Sequence, residues 1–299
     1  MRLDPVSLRL FVAVMEEGTI AAAARREHLA PAAVSHRLSE LEGALGTALF
    51  QRSNKGTRAT AAAHTLLGLA RGVLHGLDDI AEQMAGHAGG VRGHVRVFAN
   101  ISAITQFLPD DLRRFMDAAP RVQVHLQERI SSAIARAVAD SRADIGILNA
   151  GAHGEALTVL PYREDELVLI VPRGHPLAAR RRVRLRDALA HDFVGAHPGS
   201  AVNDRLHRAA AELGLPLRLR IQVGGYDAMS LMVAAGMGVG VLPRLSARLY
   251  LSALNVRAVT LDEPWARRQL VVCVRALDAL SPAARSLVDH LCGGGAPAA

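Results

Sequence analysis

The N-terminal part of the chain places apolar residues at helical spacing in short segments. In the first segment they recur every four residues, at Val6, Leu10 and Val14. This spacing predicts an amphipathic helix that ends at Gly18. Thr19 is a suitable N-cap for a second helix over 20–26, where a run of alanines allows close packing against a neighbouring helix.

A third helix is predicted from Pro31 to Gly46, because proline is favoured at a first helical position and glycine just after a helix end. Its apolar stripe is Val34, Leu38, Leu41 and Leu45. Its opposite face is polar. Residues 48–60 then predict two short strands around a turn at 54–56, the pattern of a β-wing.

A long helix is predicted over 61–86 by apolar residues that alternate four and three apart. These are Leu66, Ala70, Val73, Leu77, Ile80 and Met84. The spacing is that of a coiled-coil seam, which indicates pairing with a second chain. Packing of the stripe on its own domain is the alternative. Glycines around 89–93 indicate a hinge after this helix.

Beyond the hinge, strand and helix patterns alternate, which predicts a parallel sheet with helices on both faces. Strands are expected at 95–100, 122–128, 143–150, 166–172, 218–223, 239–242, 256–261 and 269–275. Helices are expected at 104–118, 131–140, 201–213, 227–236 and 282–291.

Composition restricts the classes of protein that this chain can belong to. Half of the 299 residues are apolar, yet no apolar run reaches the roughly 18 residues of a membrane span. The two cysteines have no motif partner, so neither a disulfide framework nor a zinc site is expected. No cofactor is predicted. Charged residues interrupt any signal-peptide core, and a cytoplasmic protein is expected.

The charge pattern is more informative than the net charge of +7. No acidic residue occurs between Glu42 and Asp78, whereas basic residues do. They are Arg52, Lys55, Arg58 and Arg71. Such a stretch suits a surface that faces DNA phosphates, and an ordinary solvated loop is the alternative. Similarly, a bracing helix followed by one with Ser35, His36 and Arg37 near its start suits a helix-turn-helix, with a plain three-helix packing motif as the alternative.

The order of residues over 11–60 resembles the N-terminal domain of LysR-type transcriptional regulators. The matching positions are Phe11-Val12, Gly18-Thr19, Ala22 to Ala24, Ala33-Val34-Ser35, Leu41-Glu42, Leu45-Gly46, Leu49-Phe50, Arg52 and Thr60. The later segments 107–112, 143–147, 173–177 and 232–243 are similar to that family as well. The resemblance therefore extends over nearly the whole chain.

The resemblance implies an α/β protein with a winged helix-turn-helix at 1–60, a linker and dimerisation helix at 61–88 and a hinge at 89–93. An effector-binding domain at 94–299 would follow, with two α/β lobes like a type 2 periplasmic binding protein. Lobe I would comprise about 94–161 and 267–292, and lobe II about 162–266. The chain would cross between the lobes near Pro161-Tyr162 and again near Pro264-Ala266.

By this resemblance the DNA-binding residues are in the second and third helices and in the wing. They are Thr19, Pro31, Ala32, Ser35, His36, Arg37, Arg52, Lys55 and Arg58. The sequence departs from the family at Ala30-Pro31-Ala32, where Ser-Gln-Pro is common, and at Ala63, where glycine is usual. A glutamine that commonly contacts DNA is thus missing, so the base contacts of relatives do not transfer to this chain.

The resemblance also places an effector in the cleft between the lobes, close to residues at strand ends and helix starts. They are Ser102, Ala103, Ser131, Ser132, Ser200, Ala201 and Tyr226. The effector is expected to be a small molecule, and an anion is favoured because helix N-termini attract negative charge. For each serine the alternative is a helix N-cap that binds no ligand.

Other patterns carry no catalytic chemistry. The glycines Gly236, Gly238 and Gly240 resemble a dinucleotide loop, but here the order is helix, glycines, strand, so they are expected to end a helix and lead into a buried strand. No hydrolase, protease or P-loop motif occurs, and no catalytic or metal site is predicted. Asp110-Asp111 and the run 164–166 are interpreted as solvated charges.

The sequence thus predicts a non-enzymatic transcription regulator controlled by a small molecule. Its partners would be double-stranded DNA with an interrupted palindrome, a second copy through the linker helix, further copies in a tetramer, and RNA polymerase if it activates; no membrane is involved. A solute-binding protein and an enzyme built on the α/β domain are the competing classes.

Overall fold

The computed structural model describes residues 3–53, 56–84, 91–151 and 156–293. The chain begins with three helices, α1 (Pro5–Glu17), α2 (Ile20–Arg26) and α3 (Pro31–Leu45). The Asp4 carboxylate accepts the N–H groups of Val6 and Ser7 and so caps α1. Gly18, with φ +74°, ends that helix in the left-handed conformation. As predicted, Thr19 caps α2, accepting the Ala22 N–H at 3.1 Å.

The wing follows α3 as a hairpin of β1 (Phe50–Ser53) and β2 (Gly56–Ala59), which pair antiparallel. The core of this head domain is formed by the apolar stripes of the helices. Its fully or almost fully buried members include Leu10, Phe11, Val34, Leu38, Leu41 and Leu49. The stripe of α3 is buried except at Leu45, which is half-buried. The helical periodicity therefore identified most of the core of the head, but it was wrong at Val6, which is 44% exposed.

The long helix α4 (Ala61–Met84) has two apolar faces. Ala63 and Ala70 are buried in the head core, and Leu66, Leu67 and Leu74 pack against it. The other face is exposed to solvent and consists of Leu69, Val73, Leu77, Ile80 and Met84. The predicted seam is wrong at its first two positions, Leu66 and Ala70, which pack on the chain's own head. From Val73 onward it is exposed. The predicted hinge at 89–93 lies outside the described residues except at 91–93.

The remaining chain alternates strands and helices. The strands are β3 (Gly93–Ala99), β4 (Val122–Glu128), β5 (Ile145–Asn149), β6 (Thr158–Pro172), β7 (Arg182–Val183), β8 (Phe193–Ala196), β9 (Leu219–Val223), β10 (Gly240–Pro243), β11 (Val256–Leu261) and β12 (Arg267–Val274). The helices are α5 (Ile101–Gln106), α6 (Leu108–Ala118), α7 (Ser131–Ala139), α8 (Leu185–Ala188), α9 (Ala201–Glu212), α10 (Tyr226–Ala234), α11 (Arg244–Leu251) and α12 (Pro282–Gly293). Short 3₁₀ turns lie at Pro176–Ala179 and Pro264–Ala266.

Two lobes share the strand β6. Its first part pairs with β12, from Thr158 to Glu166, and belongs to lobe I together with β3, β4 and β5. Its second part pairs with β10 and β11 from Leu167 onward and belongs to lobe II. The first crossing therefore lies between Glu166 and Leu167, later than the expected position at Pro161-Tyr162. The chain returns to lobe I after the turn at Pro264–Ala266, the place that the resemblance implied.

The prediction of a parallel sheet is correct only in part. β3 pairs parallel with β4 and β5, β8 with β9, and β11 with β7. β12 runs antiparallel to β6 because these two strands carry the chain between the lobes in opposite directions, and β10 and β11 in lobe II also run antiparallel to β6. The predicted helix 104–118 is two helices that meet at Phe107, since Pro109, in the first turn of α6, has no N–H to continue the hydrogen bonding of α5. Strands β7 and β8 and the helices α8 and α11 were not predicted.

Some carboxylates interpreted as solvated are buried instead. Asp111 is only 3% exposed and accepts a hydrogen bond from the Tyr162 hydroxyl at 2.6 Å, with Arg163 Nη2 at 3.2 Å. This network holds α6 on β6 inside lobe I. Asp110, one residue earlier, is exposed as expected. No helix in the described ranges combines the length and apolar character that a membrane crossing requires.

The glycines between α10 and β10 have the structural role that the order of elements predicted. Gly236, with φ +79°, follows the end of α10, and Gly240 begins β10. Gly238 has φ +153°, and a Cβ added there would lie 2.6 Å from the backbone oxygen of Asp192. That oxygen accepts the Val239 N–H at 2.9 Å, so the close approach is part of the sheet.

We expect Gly238→Ala to lower the free energy of unfolding by about 1–3 kcal/mol, because the methyl group would push two hydrogen-bonded backbone segments apart. Chemical denaturation measures the change. Gly174→Ala is the matched control, since an added Cβ there meets nothing within 4 Å. Equal stability of the two variants would contradict the proposed backbone constraint.

Candidate functional site

The exposed face of α3 is built from small residues and one histidine. Pro31, Ala32 and His36 are exposed, and Ser35 is half-buried. The His36 ring lies 3.6 Å from the Glu40 carboxylate, one turn later on the same helix. The N-terminal half of α3 is therefore exposed to solvent and carries short side chains, as a helix that enters a DNA groove requires.

Arg37 is oriented by the head domain itself. Its Nη1 donates to the Asp4 carboxylate at 2.8 Å, and both side chains are 44% exposed. Asp4 is also the N-cap of α1, so the pair fixes α3 to the start of α1. Arg37 is therefore close to the exposed start of α3 but is tied to an acidic residue in this structure.

The wing is attached to α3 through Glu42. One oxygen of its carboxylate accepts the backbone N–H of Leu49 at 2.7 Å and that of Phe50 at 2.9 Å. Arg58 on β2 is exposed, and the backbone of Arg52 is paired with Thr57 across the hairpin. The predicted contact residue Lys55 lies outside the described residues. Sequence reasoning had noted Glu42 only as a family position and missed this contact.

We expect Glu42→Ala to destabilise the head domain by about 1.5–3 kcal/mol, because it leaves two backbone N–H groups without their charged acceptor. Urea unfolding measures the loss. Glu40→Ala is the control, since the Glu40 side chain is 62% exposed and its change should stay within about 0.5 kcal/mol. The opposite order of the two effects would refute this role for Glu42.

Arg71, grouped at first with the phosphate-facing basic residues, has a different position. It donates to Glu16 at 2.7 Å, and Arg26 donates to the other oxygen of Glu16 at 2.8 Å. Burial alone would raise the pKa of Glu16, but the hydrogen bonds from Arg71 and Arg26 hold it below the ordinary value. This cluster joins α4 to α1 and α2, so Arg71 is a structural residue of the head.

Hydrogen bonds cross the cleft between the two lobes. Ser102 on α5 of lobe I lies 3.0 Å from the Tyr226 hydroxyl of lobe II, and Thr105 lies 2.7 Å from Ser246. Tyr226 is 2% exposed, and burial raises the pKa of its hydroxyl to about 12. The tyrosine therefore stays protonated at neutral pH and can donate across the cleft.

Ser102, Ser131 and Ser200 do not cap their helices through their side chains. Asn100 caps α5 by accepting the Ala103 N–H at 2.9 Å, and α7 and α9 have no side-chain cap hydrogen bond. The simple N-cap interpretation of Ser102, Ser131 and Ser200 is therefore wrong. The Ser131 hydroxyl accepts from Asn100 Nδ2 at 3.4 Å. Its neighbour Ser132 is exposed.

The structure brings the predicted effector residues together from both lobes, with one exception. A narrow pocket of about 20 Å³ is lined by Ser102, Ser131, Ser200, Ala201 and Tyr226, among others. It lies next to a larger cavity that shares Ser131 and Ala201 and also includes Ser132. Ala103 is completely buried in the core of lobe I, so its side chain does not reach the cleft.

The larger cavity has a volume of about 620 Å³, within the usual range for a small-molecule site. Its charged lining residues are Asp204, Arg205, Arg208, Arg267 and Arg268. Four arginines against one carboxylate make it a cationic cavity. We call it the interlobe cavity. Among the residues that the structure describes, no group of His, Cys, Asp or Glu could hold a metal ion.

A second concavity of about 960 Å³ lies on the outer edge of lobe II, beside β7 and β11. Its four arginines are balanced by four carboxylates: Arg182, Arg184, Arg186 and Arg267 face Glu166, Asp187, Asp262 and Glu263. It is therefore larger but carries no excess charge, and no residue from the lobe I helices lines it. The interlobe cavity is the better candidate for a ligand site.

An ion pair behind the interlobe cavity was missed by the sequence analysis. Arg268 Nε donates to Asp165 at 2.8 Å, and Arg268 Nη2 contacts the other carboxylate oxygen. The Asp165 side chain is 0% exposed and that of Arg268 is 9% exposed. The interpretation of Asp165 as a solvated charge is thus wrong; only the burial of the strands around it reveals its position.

Family comparisons match both parts of the chain. The model described as "Bacterial regulatory helix-turn-helix protein, lysR family" matches residues 6–64, and the "LysR substrate binding domain" matches residues 88–293. The chain is 31% identical to the probable HTH-type transcriptional regulator LrrA of Synechococcus elongatus, with 82% of each chain covered.

Solved structures of similar fold cover almost the whole chain. A full-length OxyR variant from Pseudomonas aeruginosa has a TM-score of 0.75 at 20% identity, covering 97% of this chain and 95% of that one. Full-length CbnR in complex with its target DNA has a TM-score of 0.66 at 21% identity, covering 97% and 99%. At these identities the similarity establishes the fold.

Proposed function

Because the chain belongs to the LysR family of bacterial transcriptional regulators, we propose that it binds an interrupted palindrome in promoter DNA as a homodimer and responds to a small anionic molecule in the interlobe cavity. The observation that carries the proposal is the cationic cavity between two hydrogen-bonded lobes, joined through α4 to a helix-turn-helix head.

The head supplies both kinds of contact that DNA recognition needs. We assign groove contacts to the exposed start of α3, namely Pro31, Ala32, Ser35 and His36. We assign phosphate contacts to Thr19, Arg37 and the wing residues Arg52, Lys55 and Arg58. On DNA, Arg37 would either leave Asp4 and contact a phosphate, or keep its hydrogen bond to Asp4 and hold α3 against α1. A solved relative, CbnR, is seen with its target DNA, which supports this use of the head.

Dimer formation is assigned to the exposed apolar face of α4, and pairing between effector domains would extend the dimer to a tetramer. Ligand binding would change the relative position of the lobes and hence the spacing of the two heads. RNA polymerase is the further partner if the regulator activates. We propose no catalytic activity for this protein. We propose that it acts on DNA in the cytoplasm.

Gel retardation with the promoter region of its own gene and of the divergent neighbour tests the DNA-binding part. We expect a dimer-sized complex whose binding constant falls with salt. In Arg58→Ala, each lost phosphate contact should reduce the slope of log K against log salt by about 0.9. Arg142→Ala, an exposed arginine on lobe I, is the control and should leave the slope unchanged.

Absence of a dimer-sized complex at low salt would refute the proposed regulator function. It would favour a solute-binding protein or an enzyme instead. A ligand that binds with no complex formed with DNA would indicate a solute-binding protein, and turnover of that ligand would indicate an enzyme. Ser102→Val tests the effector part: a ligand at about 100 times its dissociation constant adds roughly 2.7 kcal/mol of stability, and this gain should shrink in the variant.

A further inference from the structure

Arg268 stands where the chain returns from lobe II to lobe I, at the start of β12. Two of its three guanidinium nitrogens are occupied. Nε donates to Asp165, while Nη2 contacts Asp165 and lies 3.3 Å from the Ser102 hydroxyl. The third nitrogen, Nη1, is buried and has no hydrogen-bond partner among the described residues. Arg268 also lines the interlobe cavity.

A buried N–H donor without an acceptor is costly and therefore rare in folded proteins. Asp165 holds the guanidinium in a fixed orientation, because it binds two of the nitrogens at once. The remaining donor of Arg268 is thus a rigid group with no acceptor in the described part of the protein. A ligand oxygen in the cavity would supply the missing acceptor.

Two further arginines that line the cavity, Arg205 and Arg208, form no ion pair with the residues described. They are three residues apart on α9, so they lie on the same face of that helix. Arg267 is exposed next to Arg268 and interacts with Glu166, which also pairs with Arg244. Opposite α9 the cavity is lined by Ser131 and Ser132, the first residues of α7, whose backbone N–H groups precede the hydrogen-bonded turns of that helix.

The charges of this site do not cancel. Four arginines line the cavity. Asp165 is the counter-charge of Arg268, and Arg267 lies close to Glu166, so Arg205 and Arg208 face Asp204 as the one carboxylate of the cavity lining. Bound anions prefer such sites, and two separate groups of donors, Arg268 with the start of α7 and the arginines of α9, can bind two anionic groups.

We propose that the effector is a small molecule with two separate anionic groups, either a dicarboxylate or a phosphorylated carboxylate, and we call such a molecule a dianion after its two anionic groups. This rests on the proposed effector function of the cavity. One anionic group accepts from Arg268 Nη1 and the start of α7, and the other is bound by Arg205 and Arg208. Arg268 is the specificity-determining residue. It also links the ligand to the bond between the lobes, since its Nη2 contacts Ser102, which contacts Tyr226.

Thermal shift and calorimetry on the full-length protein test this with matched pairs of probes. The pairs are succinate against butyrate, malonate against propionate, and phosphoglycolate against glycolate. We expect at least one dianion to bind at millimolar or lower concentration where its monoanion does not. The first two pairs report on a dicarboxylate and the third on a phosphorylated carboxylate.

The double variant Arg205→Gln/Arg208→Gln should weaken that dianion at least about tenfold, which corresponds to about 1.4 kcal/mol. The control Arg184→Gln/Arg186→Gln, at the outer edge of lobe II, should bind it as the parent does. Arg268→Lys should also weaken it, because lysine keeps the charge but loses the planar fork. If Arg268→Lys does not fold, the double variant Arg205→Gln/Arg208→Gln still tests the dianion proposal.

Equal binding of dianion and monoanion, unchanged binding in the α9 double variant, or no stabilisation by any of the dianions would each overturn the dianion proposal. Gel retardation without ligand separates this from failure of the proposed function. If the protein binds DNA but no dianion, only the proposed ligand class is refuted. If the unmodified protein does not bind DNA, the proposed regulator function is refuted.

Discussion

Val73→Glu/Ile80→Glu is expected to abolish the dimer while leaving each chain folded. The exposed face of α4 presents Val73 at 50% and Ile80 at 59% exposure, with Leu69, Leu77 and Met84 beside them. The opposite face of the helix packs on the head. No described residue of the chain buries the exposed stripe, so a second chain is needed to bury it. Burying one such side chain contributes about 1.5–3 kcal/mol, so two charged replacements in each chain should weaken dimerisation at least about 100-fold.

Sedimentation equilibrium measures the association, and gel retardation should show the loss of the dimer-sized complex at the same protein concentration. Leu249→Glu is the control, since Leu249 is an equally exposed apolar residue, 60%, on α11 of lobe II. A dimer that survives the α4 substitutions would refute the assignment of dimerisation to this helix. Unchanged circular dichroism is needed to show that the chain remains folded.

Arg268→Met is expected to destabilise the effector domain by about 3–5 kcal/mol, because it leaves the fully buried Asp165 carboxylate without its counter-charge. Asp165→Leu should lower the free energy of unfolding by a similar amount, because it leaves the buried Arg268 guanidinium without its counter-charge. The double variant Asp165→Leu/Arg268→Met should be much more stable than either single variant, since an apolar pair of similar size needs no compensation. Urea denaturation of the four proteins gives the coupling energy.

Additive effects of the two substitutions would show that the two side chains do not stabilise each other and would contradict this assignment. The exposed pair Arg180 with Asp187, at 54% and 47% exposure, is the control. Removing either partner there should change stability by no more than about 1 kcal/mol, because solvent screens the interaction. The contrast between the two pairs measures the contribution of burial.

Local patterns were sufficient for the elements of the head. The stripe on α3, the cap at Thr19, the proline at the start of α3 and the glycine at its end all concern residues within a few positions of one another. Helix periodicity and capping act over the same range, so the sequence reveals them directly. The family pattern then added the functions of these elements and the two-lobed arrangement of the effector domain.

Predictions that needed distant partners failed. Asp165 and Arg268 are 103 positions apart, and Asp111 and Tyr162 are 51 apart. A carboxylate in a charged run has the same sequence signature whether it is solvated or buried. The direction of β12 was equally hidden, because a short apolar run does not show whether its neighbour in the sheet is parallel or antiparallel.

The sequence by itself determined the helix-turn-helix, the apolar character of α4 and the family. The family pattern also indicated that Ser102 and Ser131 stand at helix starts, that Ser200 precedes a helix and that Tyr226 follows a strand. Only the tertiary structure decided that these residues meet at one cleft, that one face of α4 is already covered by the head, and that arginines from α9 and β12 line the same cavity. The physical reason is that spacing along a chain fixes which face of an element a residue occupies, whereas its neighbours, its burial and its charge balance depend on which other elements pack against that face.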